Sequence, residues 1–512
     1  MAQAAYTTLV ESLERELAAQ RRVVDFYENY YFGDHQLQAV RKKWEEVYGG
    51  ALPEMTSNWC ELAVNAAAGR LKVEGIIFPT QTGELGEDGG PDEVAAEIWE
   101  ENGLNTAQAQ AHTTAVYAGR SYALVEPPAQ GETVSRITVE HPSQTYVRMD
   151  PASNRRRLAA IKTWWDVADD GTEGDQHITL FLPNRTYHLT RKRFTTDGMG
   201  TYLTPVLIPR TGYSNVDEVD NPLNVVPVVP LDNKPVSLAA APRLVGKKML
   251  AGTMSDLQPL TPLQDAIQKG VVEMIVIGEA ASAPLRWATG VTEPKDPATG
   301  KPLPNAEIRS MVTSLLTFPD KDAKVGQLPP HDMSGLIARH ALYLRDFGAQ
   351  SRTPPHYMLG DIVNISGEGL AATETSLSER IREKHGPLGG GWEQATRIAC
   401  GMQGDLVRFE DKRCKTSWAN PEIRSIAQAV DAAMKLFTSK MLPLEMALEM
   451  VPGMTAAKIE RAVHLLGFPQ RGPVPSSLKA TEDDPFADIA PGAIPRPGPP
   501  RPVVVQPAAA AA

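Results

Sequence analysis

Leu260-Thr-Pro-Leu-Gln-Asp-Ala-Ile-Gln-Lys-Gly-Val-Val-Glu-Met-Ile-Val-Ile-Gly-Glu-Ala-Ala-Ser282 has the length and periodicity of one helix, and Met333–Gln350 has those of a second. Leu263, Ile267, Val271 and Met274 form one stripe, while Val272, Ile275 and Val276 form another, so the first helix is apolar over a wide arc. The second carries Met333, Leu336, Ile337, Leu344 and Phe347 on one side, with Arg339, Arg345 and Asp346 off it. Between them, Pro284 to Pro330 is rich in Pro and Gly, with Lys295, Lys301, Lys321 and Lys324 among acidic residues. Such a segment cannot build a core of its own and has to be ordered by neighbours. Thr353-Pro-Pro-His-Tyr-Met-Leu-Gly360 then closes the pair with a stiff Pro-Pro connection. A helical hairpin with a polar excursion at its tip suits a protruding element better than a catalytic pocket.

The chain has 512 residues, more than a single hydrophobic core normally supports, so several parts are expected. Leu9, Leu13 and Leu17 predict an opening helix, and Tyr27, Tyr30 and Tyr31 a second one that breaks at Gly33. Further helices are expected over Asn58–Val73, ending near Gly75, and over Asp92–Asn102. From Gly119 short β-branched and aromatic runs take over: Ser121–Val125, Arg136–Glu140, Thr145–Met149, Ala159–Asp166, His177–Leu182 and Thr186–Thr190. Turn residues separate them, which indicates an antiparallel meander, and Val225–Leu231 adds one more extended piece. Ser366–Arg382 reads as a long helix capped by Ser366, with the pattern resuming after Gly386-Pro387. Leu406–Trp418 is read as mixed, with a strand returning to the β body, and Pro421–Leu466 as two or three short helices. From Gln470 on, Pro, Ala and Gly dominate, and the tail reads as disordered in the free chain. The fold class is α+β.

The common motifs of catalytic and metal sites are not assembled in this sequence. Gly246-Lys-Lys248 lacks both the upstream glycine, which is Ala241, and the Ser or Thr after the lysine that a phosphate loop needs. Asp166-Val-Ala-Asp-Asp-Gly171 starts like a calcium loop but has Ala168 at its third position and His177 at its twelfth; Asp169-Asp-Gly171 reads as a hairpin turn. There is no HExxH or G-x-S-x-G motif, and the ten histidines are scattered, so no catalytic residue, metal or cofactor is expected. Cys60, Cys400 and Cys414 leave one unpaired under any pairing, which predicts reduced thiols. The best candidate for a membrane span, Val271–Ile277, is interrupted by Glu273 and ends at Gly278-Glu279, so no membrane partner is expected, and the N-terminus shows no secretory pattern. A net charge of −11 speaks against a protein that grips nucleic acid by its phosphates and is compatible with one that lets it slide past.

Ala283-Pro-Leu-Arg-Trp-Ala-Thr-Gly290 and Thr353–Glu374 resemble the stem, clip and tunnel-loop region of tailed-phage portal proteins, in the branch common in viruses of actinobacteria. Tyr30-Tyr-Phe-Gly-Asp-His35, Asn58-Trp-Cys60, Ile98-Trp-Glu-Glu-Asn102, His112 and Gly119-Arg-Ser-Tyr122 follow in the order that family shows. The resemblance covers most of residues 25 to 400. It implies an elongated multi-part subunit: a helical and β wing (1–255), stem helices (256–283 and 331–351), and a clip (284–330). A tunnel loop and long helix (352–400), a return to the wing (401–420), a helical crown (421–469) and a disordered tail (470–512) would follow.

The resemblance further implies a ring, usually of twelve subunits, at one capsid vertex. Double-stranded DNA would pass through it without sequence preference. Terminase, head–tail adaptor, major capsid and scaffolding proteins would be its partners, in a virion assembled in the host cytoplasm. Thr353, Pro354, Pro355, His356, Tyr357 and Asn364 would form the channel constriction; Arg286, Trp287, Lys295, Lys301, Lys321 and Lys324 would dock adaptor or motor. The competing readings are a nucleic-acid-processing or packaging enzyme and a minor capsid or adaptor protein.

Overall fold

A helix of 31 residues, α1 (Ala2–Phe32), begins the chain, where the sequence had indicated two helices. The connecting stretch, Ala18-Ala-Gln-Arg-Arg22, consists of strong helix formers, so nothing interrupts it before Gly33. The computed structural model describes residues 2–35, 57–79, 92–153, 156–167, 173–191, 214–236, 250, 252–282, 286–289, 324–327, 333–359, 367–422, 426–451, 454, 459 and 462–463. The chain divides into two units, Met1–Ile423 and Arg424–Ala512. The tail from Gln470, Ser366 as a helix cap and the Asp169-Asp170-Gly171 turn lie outside the described residues.

In the first unit, α2 (Trp59–Ala68) stops short of the expected Val73. Val73–Ile77 instead forms strand β1, because its alternating side chains find a partner strand far along the chain. Two helices follow: α3 (Glu93–Glu101), capped by the Asp92 side chain on Ala95 N at 3.0 Å, and α4 (Leu104–Ala118), which the sequence reading had not marked. Gly119 ends α4 at φ 98°, and a Cβ there would press on the Met254 backbone at 3.1 Å.

The β region is two sheets rather than one meander. Strands β2 (Arg120–Glu126), β3 (Arg136–Glu140), β4 (Thr145–Met149), β5 (Arg157–Val167), β6 (Glu173–Phe181), β7 (Arg185–Arg191), β8 (Ser214–Asp220) and β9 (Val228–Asp232) are all antiparallel to their neighbours. The order β4-β5-β6-β7-β8 is the expected meander, whereas β3-β2-β9 forms a separate sheet. The split follows from β2, which is buried on both faces. Ala123 and Val125 enter the main core, while Tyr122 and Leu124 enter a second one with Val147, Ala160, Phe181 and Val228. Strand β8 escaped sequence reading because Ser214-Asn-Val-Asp-Glu-Val-Asp220 is largely polar, as befits the edge of a sheet. Helix α1 lies on the meander through Val10, Leu13 and Leu17 against Ala159, Ile161, Ile178, Leu180 and Leu189. Arg191 grips Glu14 with two hydrogen bonds of 2.8 and 3.0 Å beside that contact.

The remaining elements of this unit are α5 (Thr261–Ser282), β10 (Arg286–Thr289), β11 (Lys324–Gln327), α6 (Ser334–Ser351) and α7 (Pro355–Leu359). They are followed by α8 (Gly367–Met402), α9 (Leu406–Glu410) and β12 (Lys415–Trp418). Helix α8 runs unbroken for 36 residues through Pro387, correcting the expected interruption at Gly386-Pro387. Its face of Leu377, Ile381, Leu388, Trp392, Ala395 and Ile398 is buried in the main core, and that burial outweighs one lost backbone bond. The glycines beside the proline mark a close crossing. A Cβ on Gly391 would meet Leu231 Cδ2 at 2.4 Å and the Pro230 carbonyl oxygen at 3.0 Å. Gly391→Ala is therefore expected to destabilise the chain by about 1–3 kcal/mol through overpacking, visible as a lower denaturation midpoint, although alanine is the better helix former. The returning strand β12, expected to rejoin the β body, pairs with β1 ahead of it.

The second unit contains α10 (Ile426–Thr438) and α11 (Leu444–Glu449). Ala429, Ala433 and Ala447 are buried, whereas Met434, Phe437 and Met441 are exposed.

Candidate functional site

Helices α5 and α6 form the hairpin, each within one residue of its expected start. Its lower part is fixed to the core by Leu260, Ile267 and Val272 and by two buried amides. Gln264 Nε2 donates to Ser57 O at 2.6 Å, and Gln268 Oε1 accepts from Ser57 N at 2.8 Å. Higher up, Val271, Met274, Ile275, Val276 and Ile277 are each only half-buried, although they point all round the helix. On α6, Ile337 and Leu342 are more than half exposed. Arg339 and Glu273 tie the two helices together.

At the far end β10 pairs antiparallel with β11, placing Arg286 opposite Gln327, Trp287 opposite Gly326 and Thr289 opposite Lys324. Lys324 is exposed, and Lys295, Lys301 and Lys321 lie outside the described residues.

Where the hairpin meets the body, one buried carboxylate holds three cations. Asp256, just ahead of α5, accepts from Arg380 Nε (3.0 Å) and Nη2 (2.6 Å), Lys384 Nζ (2.7 Å), Lys234 Nζ (2.9 Å) and Asn233 Nδ2 (2.8 Å). Arg380 Nη1 also donates to Ser351 O at 2.7 Å and to Ala63 O at 3.1 Å. Both ends of the hairpin, α2, α8 and the turn after β9 thus converge on the Asp256–Arg380 pair. Burial pushes Lys384 down to about 8 despite the pull of Asp256. For Asp256 the three cations overcome burial and hold its carboxyl well below the usual range. Sequence reasoning missed this cluster, yet a signal existed. Glu374, Arg380 and Lys384 fall on the same helical stripe as Leu377, Ile381 and Leu388, and charges on a core-facing stripe demand buried partners.

Beyond α6, the chain turns at Arg352, a non-glycine residue at φ 51°, and Pro355 starts α7 as a first-turn proline. The structure turns the described part of the expected constriction inward. Thr353 and Pro354 are buried, His356 Nε2 lies 3.1 Å from Glu374 Oε1, and Tyr357 OH accepts from Arg70, which itself pairs with Glu374 at 2.8 Å. Met358 joins the main core. The reason is that Arg70 and the buried Glu374 need polar partners, which His356 and Tyr357 supply. Pro355 is exposed, and Asn364 lies outside the described residues.

His112 shows a second buried polar link. Its Nδ1–H donates to Leu71 O at 2.9 Å, and Nε2 accepts from Trp392 Nε1 at 2.9 Å, so both contacts use the neutral ring. Burial lowers its pKa to about 4. Its contribution is complete above about pH 6.5 and is lost as the pH falls towards 4, where the unfolded ring is already charged. The full loss is about 3 kcal/mol. His112→Gln keeps a donor and an acceptor without the titration. Between pH 7 and 4 its melting temperature should fall less steeply than that of the parent, and parallel curves would refute this assignment.

Among the described residues no three His, Cys, Asp or Glu side chains are grouped to hold a metal ion. No helix among them is long and apolar enough to cross a membrane. Cys60, Cys400 and Cys414 are buried free thiols; burial raises all three, Cys400 and Cys414 to about 12.

Against known proteins, the family model described as phage portal protein, SPP1 Gp6-like, matches residues 11–463. The portal proteins of Mycobacterium phage D29 and Mycobacterium phage L5 are each 28% identical over 387 residues, spanning 73% of this chain and 71% of theirs. A solved structure, the neck of an empty GTA particle computed with C6 symmetry, aligns over 84% of this chain and 95% of its own, with a TM-score of 0.40 and 10% identity.

Proposed function

Since the chain belongs to the SPP1 Gp6-like family of phage portal proteins, we propose that copies of it form a ring whose hairpins line a passage for double-stranded DNA. A portal protein is a head–tail connector and so a component of the virion. The observation that carries the ring is the upper half of α5, where Val271, Met274, Ile275, Val276 and Ile277 point all round the helix and are only half-buried, with α6 the described element that packs most extensively on it. One intramolecular neighbour covers one face, and a second copy supplies the other. The low affinity for phosphate that a net charge of −11 implies suits a passage through which DNA must move.

In this reading the ring has about twelve members and is assembled in the host cytoplasm. It receives DNA from terminase, contacts capsid and scaffolding proteins, and later binds adaptors through the tip bearing Arg286, Trp287, Lys295, Lys301, Lys321 and Lys324. It catalyses nothing itself. Thr353–Leu359 anchors the channel-facing loop, whose contact with DNA falls to residues beyond it such as Asn364.

Native mass measurement with negative-stain imaging tests the proposal: rings with a central hole support it, and monomers with nuclease or ATPase activity overturn it. Because Ile337 and Leu342 are exposed, Ile337→Asp with Leu342→Asp should leave the stability of the isolated subunit within about 0.5 kcal/mol while shifting most of the protein from rings to monomers. Rings in undiminished yield would remove the hairpin from the subunit contact.

A further inference from the structure

A cavity of about 480 Å³ opens where the start of β5, the later part of α8 and the end of α9 meet; Arg157, Gln394, Arg397, Phe409, Glu410 and Lys412 are among its lining residues. Its two arginines are treated unlike their neighbours. Arg148 is paired with Glu16, Arg191 with Glu14, Arg380 with Asp256 and Arg408 with Asp92. Arg157 and Arg397 have no carboxylate partner among the described residues. Arg157 Nη1 donates to Gln394 Oε1 at 2.9 Å, and its Nε is buried with no hydrogen-bond partner. Arg397 spends Nε and Nη2 on a single acceptor, the Phe409 carbonyl oxygen, at 2.9 and 2.5 Å. Burial and the charge of Arg397 together lower Arg157 to about 10. Two like charges that share one partly buried cavity without a carboxylate partner cost stability unless an anion sits between them.

We propose that this cavity is a binding site for a phosphate-class oxyanion, held between the Arg157 and Arg397 guanidiniums with Lys412 at its edge. Three cations against the one carboxylate of Glu410 match a dianion, whereas a lone carboxylate would satisfy one guanidinium and leave the other. Planar forked donors supplied by two different elements, β5 and α8, suit the several oxygens of a phosphate group. Free inorganic phosphate and the phosphate of a DNA backbone share that chemistry, and the experiment separates them.

The full-length protein is titrated with sodium phosphate, and separately with a 12-base-pair duplex, in chloride buffer at fixed ionic strength. Melting temperature and heat of binding are the readouts. Phosphate at millimolar concentration should raise the melting temperature by several degrees. Arg157→Gln should weaken binding at least tenfold, and Arg397→Lys, which keeps the charge but loses the fork, should weaken it as well. Duplex binding that Arg157→Gln abolishes assigns the site to DNA; phosphate binding without duplex binding assigns it to the free anion. In phosphate-free buffer Arg157→Gln should melt at the parent temperature or above, because it removes an uncompensated charge. A lower melting temperature there, an equal phosphate response in both proteins, or no response to either ligand overturns the proposal.

Discussion

Asp256→Asn is expected to cost about 3–5 kcal/mol, because it strips the only carboxylate from a buried cluster and leaves Arg380 and Lys384 charged and unpaired. That is a large part of the ~5–15 kcal/mol that holds a typical domain together. The cluster joins both ends of the α5–α6 hairpin to α8, so the loss should appear as insoluble or unassembled protein as well as a lowered melting temperature. Asp256→Asn combined with Lys384→Met removes one of the stranded charges and should recover part of the loss. If the single variant melted within a degree of the parent, the cluster would contribute nothing to holding the hairpin. The same carboxyl makes the protein acid-sensitive: its contribution is present above the ordinary aspartate pKa of about 4 and disappears as the pH falls through its much lower folded value.

The second large effect concerns the connection after α6. Deleting His356–Asp361 removes the His356 and Tyr357 partners of Glu374 and Arg70 and takes Met358 out of the main core, so folding should fail and soluble protein should be lost. Deleting Asp361–Ile365 spares all of those contacts. It should leave soluble rings and reduce the DNA packaged per particle. Soluble rings from the first deletion would show that the inward contacts of His356 and Tyr357 are dispensable, and normal packaging with the second would remove Asn364 and its neighbours from the channel.

The hairpin was legible because its helices are long and amphipathic or apolar, and their periodicity needs no knowledge of the rest of the chain. The meander was legible over β4 to β7 for a similar reason: its strands are consecutive, and β-branched and aromatic runs alternate with turn residues. Pairings made across the chain were not legible. Val73 reads as the end of a helix until Lys415–Trp418 is beside it, and β9 joins β2 because β2 has two apolar faces to cover. The inward contacts of the expected constriction were hidden on the same account. A Pro-Pro turn with His and Tyr looks available to a ligand, and only the presence of Arg70 and Glu374 shows that their hydrogen bonds are already used.

The pairing of β1 with β12 also sets a timetable. As the chain leaves the ribosome, the meander and β2 with β3 have their partners early, since these contacts are local. Strand β1 must wait for more than three hundred further residues before its partner is made, and Trp392 must be synthesised before His112 can be satisfied. Until residue 418 emerges, the nascent subunit carries an open strand edge and an unfinished core, the state in which chains aggregate or pair wrongly. A truncation ending before Lys415 would be caught in that state permanently, so completion of the subunit has to precede its meeting with other copies.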